Sequence, residues 1–201
     1  RKSGKSEIAA AIALYLLGFD KEPAAQVVAA ANDKEQARIV WGKAAAMAEA
    51  SPVLRQVYQV THSTSYILHQ KSMSSFYALS SEIKNKDGLN IHGLIIDEIH
   101  EWTDRRFYAK LMTARGSRRQ PLVFITTTAG DDIHSLCYEL YDHAKRVLSG
   151  EIQDDTFYPV IYEATREEDW KSEAVWKKAN PNYPVTPKAD AMREAFNAAL
   201  L

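Results

Sequence analysis

Apolar and polar positions change their spacing several times along the chain, and these changes predict alternating helices and strands. After Ser6 the apolar residues recur at helical spacing as far as Gly18, which predicts a helix that ends there. Residues 26–31 form an apolar run of strand length. Asn32 and Glu35 then have the pattern of a capping box at the start of a second helix. Strand, cap and helix in this order are typical of an α/β fold.

The middle of the chain contains further strand patterns. Residues 66–69 and 75–79 predict two strands, and the polar residues 70–72 between them indicate a hairpin or two neighbouring strands. Polar residues at 84–90 predict a loop. The uninterrupted apolar run at 94–96 is typical of a central parallel strand, which is buried on both faces.

The alternation continues after this run. Asp104 is placed to cap a helix, and residues 121–125 predict another buried strand. Residues 136–148 have helical periodicity, and Gly150 follows them as a typical C-terminal residue. Residues 157–162 predict one last strand, at a sheet edge because it contains a proline.

Beyond about residue 165 the chain becomes acidic and helical, with helices predicted at 172–178 and after Pro187. We therefore expect residues 1–164 to form the α/β domain. Residues 165–201 would begin a separate helical subdomain.

Composition fits this organisation and excludes several classes of protein. The 201 residues are 46% hydrophobic and 25% charged, as in ordinary globular domains. A formal net charge of −1 provides no overall attraction for nucleic acid, so such a contact needs a local patch. The one cysteine, Cys137, excludes an internal disulfide and a cysteine-based zinc site. Because no apolar run approaches the ~20 residues of a membrane span, we expect a soluble, intracellular protein.

The sequence of residues 1–6 matches the last part of a phosphate-binding loop motif. Ser3 and Gly4 would supply backbone N–H groups around the phosphates. Lys5 would reach the β- and γ-phosphate oxygens, and the Ser6 hydroxyl would bind Mg²⁺. The full motif has a further glycine at a position before residue 1, so we expect that the N-terminus is cut within the motif. A simple turn that leads into an amphipathic helix is the alternative.

Asp97 and Glu98 follow the apolar run at 94–96 in the manner of a Walker B strand. In such strands the first acid holds Mg²⁺ through water and the second polarises the attacking water. Asp97 would then be a metal ligand and Glu98 the general base. The alternative is a buried strand that reaches the surface at an acidic turn.

Three threonines at 126–128 end the next apolar strand. In P-loop ATPases whose catalytic acid adjoins Walker B, the polar tip of this strand lies beside the γ-phosphate and can sense its presence. Thr127, the central residue, is the candidate for this role. Ordinary β-propensity of threonine is the alternative explanation.

Basic residues are concentrated between Arg105 and Arg119. An arginine from this stretch could neutralise charge on a transferred phosphoryl group, and its neighbours could contact a DNA backbone. A solvated helix face is the alternative. The histidines have no metal-binding spacing, and the one of interest is His100, two residues beyond Glu98.

The combination of these motifs resembles the large terminase subunits of tailed bacteriophages. The resemblance spans nearly the whole chain, and its later segments are more specific than the P-loop, which helicases and transporters share. It is carried by residues 1–6, 87–90, 94–102, 119–122, 126–130 and 176–182.

For the fold, the resemblance implies a three-layer α/β P-loop NTPase of the ASCE or RecA-like type, with a mainly parallel central sheet. Residues 165–201 would be the start of a linker subdomain. The strand that feeds the P-loop would precede residue 1 and be missing from this chain. The Mg²⁺-dependent nuclease of the family would also lie outside it.

For the function, the resemblance implies a motor that uses ATP and Mg²⁺ to package double-stranded viral DNA into a capsid, in the cytoplasm of the host cell. The implied partners are the portal protein and the small terminase subunit, with no membrane, and the implied assembly is a homo-oligomeric ring. Arg1 is implied as an arginine finger, Glu98 as the catalytic base and Thr127 as part of the coupling motif.

Two other functions fit parts of the sequence. Residues 97–100 match a DExH box, so a helicase core is possible, although it requires a second RecA-like domain for which the chain shows no arginine motif. The second alternative function is a degenerate P-loop module that binds a partner without hydrolysis. Such a module would be free to lose the lysine, the hydroxyl and the two carboxylates, all of which are present.

Overall fold

The computed structural model describes residues 3–81 and 88–200 of the chain. Arg1 and residues 82–87, which include most of the predicted loop at 84–90, lie outside the described residues. No helix within the described ranges combines the length and the apolar character that crossing a membrane requires. The described helices are α1 Lys5–Gly18, α2 Lys34–Ala50, α3 Leu54–Val57, α4 Arg105–Thr113, α5 Leu136–Leu148, α6 Glu173–Ala179 and α7 Ala189–Ala198. The described strands are β1 Gln26–Ala31, β2 Tyr58–Thr61, β3 Tyr66–His69, β4 Ser74–Ser80, β5 Ile91–Asp97 and β6 Leu122–Thr126.

The described strands form one sheet in the order β2-β3-β4-β1-β5-β6. β1 runs parallel to both β4 and β5, and β5 runs parallel to β6. β2, β3 and β4 form an antiparallel meander at the other side of the sheet. The predicted, mainly parallel sheet is therefore confirmed, and the predicted hairpin is the β3–β4 pair.

Helices cover both faces of the sheet, so the fold has three layers. On one face α1 and α2 pack against Val27 and Ala29 of β1 and Ile95 of β5. On the other face α4 and the first residues of α5 pack against Val28 of β1 and Ile96 of β5. The two sets alternate because successive side chains of a strand point to opposite faces. The predicted three-layer α/β architecture is confirmed.

Small residues bring α1 close to β5. Gly93 of β5 leaves space for Leu16 of α1, since a Cβ atom at Gly93 would lie 2.8 Å from Leu16 Cδ1. The inner face of α1 includes three fully buried alanines, Ala9, Ala10 and Ala13, beside three buried leucines. The helix can therefore lie directly over the strand that ends in Asp97.

The predicted capping box at Asn32 is wrong, because the N-cap of α2 is Asp33. The Asp33 side chain accepts a hydrogen bond from the Gln36 N–H group at 2.8 Å. Asn32 is engaged elsewhere: its carbonyl accepts from the Ser81 N–H group at 3.3 Å, and its side-chain amide donates to the Glu101 carbonyl. These long-range hydrogen bonds take the place of a capping role.

Two strand predictions also need correction. β2, a strand of four residues, is absent from the sequence prediction. Residues 157–162, predicted as an edge strand, have no regular structure. Tyr158 is 92% exposed and Val160 is 58% exposed, so the apolar side chains of this segment have no sheet face to cover.

The described chain falls into two compact units. One comprises residues 5–140, and the other comprises residues 3–4 together with 141–200. The division of the chain at residue 165 stays a prediction.

An aromatic cluster organises the helices of the second unit. The rings of Trp170 and Trp176 each lie 5.4 Å from the ring of Phe196, measured between centroids. The Trp176 indole N–H donates to the Trp170 carbonyl at 2.7 Å. These contacts join α6, α7 and the residues that precede α6.

Arg118 joins the amino ends of β1 and β5. Its guanidinium donates to the carbonyls of Pro23 at 3.1 Å, Ala24 at 2.7 Å and Asn90 at 3.0 Å. Glu22 Oε1 lies 3.4 Å from Arg118 Nη1, and the Arg118 side chain is only 9% exposed. All these acceptors precede β1 or β5, so one buried side chain links the starts of two neighbouring strands.

We expect Arg118→Ala to lower the free energy of unfolding by about 1–3 kcal/mol, because it removes the donor from several partly buried acceptors. Arg118→Lys should restore only part of this loss, since one ammonium cannot reach acceptors arranged around a planar guanidinium. Chemical denaturation followed by circular dichroism measures both effects. Arg119→Ala, at the exposed neighbouring position, is the matched control. Equal stability of the two alanine variants would contradict the role of Arg118.

Candidate functional site

The candidate site lies at the carboxyl edge of the parallel part of the sheet. The first turn of α1, the end of β5 and the end of β6 meet there within hydrogen-bond distance. This edge is where open α/β sheets bind their ligands. The predicted residues that the structure brings together are Lys5, Ser6, Asp97, Glu98 and residues 126–128.

α1 begins directly after a glycine in the left-handed conformation. Gly4 has φ +74°, which a residue without a Cβ atom adopts readily. The preceding residue, Ser3, accepts a hydrogen bond at its carbonyl from the Asn182 side chain at 3.0 Å. The first N–H groups of α1 have no partner within the helix, and they lie at the positive end of the helix dipole. Such a helix start is suited to bind phosphate.

Asp97, the last residue of β5, is held by three donors. Ser6 Oγ donates to Asp97 Oδ2 at 2.6 Å. Thr126 Oγ1 donates to Asp97 Oδ1 at 2.6 Å, and the Glu98 N–H group donates to the same oxygen at 3.1 Å. The carboxylate therefore has a fixed orientation toward the start of α1.

The Ser6–Asp97 pair fits a Mg²⁺ site of the kind found in ATPases. A hydroxyl and a carboxylate oxygen are hard ligands, and Mg²⁺ in such sites takes only one or two carboxylates beside the substrate phosphates. The described part of the chain contains no cluster of three or more histidine, cysteine or acidic residues that could enclose a metal ion.

Glu98 has an unusual backbone conformation for a residue that is not glycine. Its φ of +51° and ψ of +54° lie in the left-handed region. Such a conformation costs about 1–3 kcal/mol and is concentrated at functional sites. The Glu98 carboxylate lies 3.7 Å from Lys5 Nζ and accepts from the Thr128 N–H group at 3.3 Å. Its side chain is 34% exposed, so water can reach it.

The threonines at 126–128, of which Thr126 is the last residue of β6, make different contacts, and the sequence alone singles out Thr127. Thr127 Oγ1 lies 3.0 Å from His100 Nδ1. Thr126, which was not singled out, donates to Asp97. The signal for Thr126 is the strand register, since it lies opposite Asp97 in the β5–β6 ladder. Each residue from Thr126 to Thr128 therefore contacts a different group of the acidic segment.

The arginines that could neutralise charge on a transferred phosphoryl group have different partners in the structure. Arg118 donates to backbone carbonyls at the amino ends of the strands. Asp97 and Glu98 lie at the opposite, carboxyl ends. Arg105 pairs with Glu139 at 2.8 Å. Arg115 donates from Nε to the Met112 carbonyl at 3.0 Å. Arg1 lies outside the described residues, so its role as an arginine finger stays a prediction.

Comparisons with known proteins agree with the motifs. A family model described as the ATPase domain of the terminase large subunit matches residues 1–146. Protein YmfN of Escherichia coli is 36% identical over 100 residues, which are 50% of this chain and 22% of that protein. The large terminase subunit of Enterobacteria phage HK97 is 30% identical over 185 residues, which are 90% of this chain and 36% of that protein.

The structural comparison leads to the same family. The crystal structure of the HK97 bacteriophage large terminase matches with a TM-score of 0.87 and 27% identity, over 100% of this chain and 42% of that one. The chain thus spans 22% and 36% of the lengths of the two curated relatives. Since the family model covers most of the chain and the fold agrees, the chain belongs to the family of terminase large subunit ATPase domains.

Proposed function

We propose that this chain binds ATP with Mg²⁺ and hydrolyses it, and that it is the motor domain of a terminase that moves double-stranded viral DNA into a capsid. The observation that carries the proposal is the meeting of Lys5 and Ser6 with Glu98 and Asp97. These residues are far apart along the chain, and each has the chemistry that its place in a P-loop ATPase requires.

The proposed roles at the phosphates follow from the start of α1. Backbone N–H groups at Ser3, Gly4 and the first turn of α1 would surround the phosphate oxygens. Lys5 would neutralise charge on the β- and γ-phosphates. Ser6 and Asp97 would hold Mg²⁺, which supplies charge neutralisation to the phosphoryl group when bound.

Glu98 has the position and the exposure of a general base. Its carboxylate would accept a proton from a water molecule whose oxygen attacks the γ-phosphorus. The bond from that phosphorus to the bridging oxygen breaks, so ADP and inorganic phosphate are the products. Lys5, 3.7 Å from the carboxylate in this structure, would shift toward the phosphates when they bind.

Membership of the family supports the wider parts of the proposal. The partners would be double-stranded DNA, the portal protein and the small terminase subunit, and the working form would be a homo-oligomeric ring in the host-cell cytoplasm. Arg1 would be the arginine finger and Thr127 part of the coupling motif. Residues 1–164 would form the ATPase domain, with a linker subdomain beginning at residue 165.

The remaining alternatives are less well supported. The family match opposes a helicase core. A P-loop module without hydrolysis would have no need to keep Glu98 in a costly conformation beside Lys5 and Thr128.

We expect Glu98→Gln to lower ATP turnover by about 100-fold or more, because the amide cannot accept the proton from water. ATP affinity should stay close to that of the wild type, since the side chain retains its size and its acceptor oxygen. Phosphate release measures turnover, and titration with a fluorescent ATP analogue measures affinity. Glu35→Gln, at a carboxylate that is 84% exposed, is the control. Unchanged turnover in Glu98→Gln would remove the assignment of the base.

Lys5→Ala should weaken both ATP binding and turnover, because it removes a charge-assisted contact to the phosphates. We expect an increase of about 10-fold in the dissociation constant for ATP. The same two assays apply, with the exposed Lys34→Ala as the control. Wild-type affinity in Lys5→Ala would contradict the phosphate-binding role of the loop.

The packaging role has a separate test in a reaction that contains empty capsids with their portal, the small terminase subunit and double-stranded DNA. DNA that becomes protected from nuclease measures packaging. Protection should require ATP and disappear with Glu98→Gln. Protection that persists with this variant would contradict the motor role.

A further inference from the structure

The backbone alone does not fix the Glu98 carboxylate. Glu98 lies just beyond the last residue of β5, in the left-handed conformation, so the sheet does not determine the direction of its side chain. A general base must nevertheless stay within hydrogen-bond reach of the water that it deprotonates. Its position therefore depends on neighbouring side chains.

His100 is the imidazole that contacts this carboxylate. His100 Nδ1 lies 3.2 Å from Glu98 Oε2 and 3.0 Å from Thr127 Oγ1. On the other side of the ring, Nε2 lies 2.9 Å from Glu101 Oε1. The His100 side chain is 16% exposed, so the ring is largely enclosed between these partners.

The other contacts of Thr127 Oγ1 assign the donor in its contact with His100, apart from a 3.9 Å contact with Cys137 Sγ in which either atom can donate. The Thr127 hydroxyl donates its single proton to the Thr128 carbonyl at 2.8 Å. Its oxygen also accepts from the His100 backbone N–H group at 3.3 Å. The contact between Thr127 Oγ1 and His100 Nδ1 therefore needs a proton on Nδ1. Glu98 Oε2, 3.2 Å from Nδ1, is a carboxylate acceptor too, so Nδ1–H lies between two acceptors.

Gly130 completes the enclosure of the ring. A Cβ atom at Gly130 would lie 3.2 Å from the Cβ atom of His100, closer than most such contacts. The loop after β6 can therefore pack against His100 because residue 130 has no side chain. Both Thr127 and Gly130 come from this loop, so His100 joins it to the segment that carries the base.

We propose that His100 is a positioning residue for the general base: its Nδ1–H orients the Glu98 carboxylate and ties it to Thr127. This inference rests on the proposed function, because it takes Glu98 as the base. The imidazole contacts Glu98, Thr127 and Glu101 and contributes nothing to the predicted phosphate or Mg²⁺ ligands. Its loss should therefore lower kcat without changing KM for ATP.

Two amide substitutions distinguish the ring nitrogens. The His100→Asn amide nitrogen can occupy the place of Nδ1 and keep the contact with Glu98 and Thr127. The His100→Gln amide reaches the place of Nε2 and keeps only the contact with Glu101. We expect kcat to fall about 10- to 100-fold in His100→Ala and His100→Gln, as for a displaced catalytic group, and to recover in His100→Asn.

A second pair of variants tests the connection to Thr127. Thr127→Val removes the hydroxyl, whereas Thr127→Ser keeps it and is the matched control. If the two residues act through one hydrogen bond, the double variant His100→Ala/Thr127→Val should lose less kcat than the product of the two single losses, even though Thr127 also has a proposed part in coupling. Independent roles would give multiplicative losses and would contradict the proposal.

All variants are measured in the full chain with ATP and Mg²⁺, by phosphate release for kcat and KM and by thermal melting for folding. Wild-type kcat in a folded His100→Ala would overturn the proposal, as would recovery by glutamine rather than asparagine. If the alanine variant does not fold, the asparagine–glutamine comparison decides. Failure of the proposed function is distinct: wild-type turnover that survives Glu98→Gln removes the base itself, and this inference with it.

Discussion

The hydrogen bond from Ser6 to Asp97 is the contact on which the site depends. It joins a helix start and a strand end that lie 91 residues apart, at 2.6 Å. So short a contact requires α1 to lie close to β5, and the packing beneath the site allows this. Gly93 leaves room for Leu16, and the alanines on the inner face of α1 add little thickness between helix and sheet. A Cβ atom at Gly93 would meet the end of the Leu16 side chain on α1 and the Val27 side chain on β1. Core packing outside the site therefore sets the distance between its two halves.

The amino and carboxyl edges of the parallel sheet have different features. At the amino edge, Arg118 donates to backbone carbonyls before β1 and β5 and so links the starts of the two strands. At the carboxyl edge, β5 ends at Asp97 and is followed by Glu98, whose conformation costs about 1–3 kcal/mol. β5 has seven residues, so roughly 20 Å separate the edges. A rigid parallel sheet can support an unfavourable conformation at one edge because its strands are fixed along their whole length.

Sequence patterns predicted the elements with long or uninterrupted apolar periodicity, such as β1 at 26–31, and they placed Asp97 and Glu98 at the edge where ligands bind. They did not determine which neighbours each side chain meets. Thr126 contacts Asp97 because the β5–β6 register sets the two residues side by side, and no local pattern encodes that register. Asn32 is a residue type that often caps helices, but its hydrogen bonds are to Ser81 and Glu101, which are distant in the sequence. In each case the outcome depends on tertiary contacts rather than on local propensity.

The end of β6 is bonded to the acidic segment at three separate points. Thr126 donates to Asp97, the Thr128 N–H group donates to Glu98, and Thr127 Oγ1 lies 3.0 Å from His100 Nδ1. A movement of these three consecutive residues must change all three contacts together, because they share one short stretch of backbone. Any ligand that alters the positions of Asp97 and Glu98 therefore changes the free energy of the loop after β6, and by linkage the conformation of that loop changes the affinity for the ligand. The hydrogen bonds that orient the carboxylates are thus the contacts through which the proposed coupling to the loop would act.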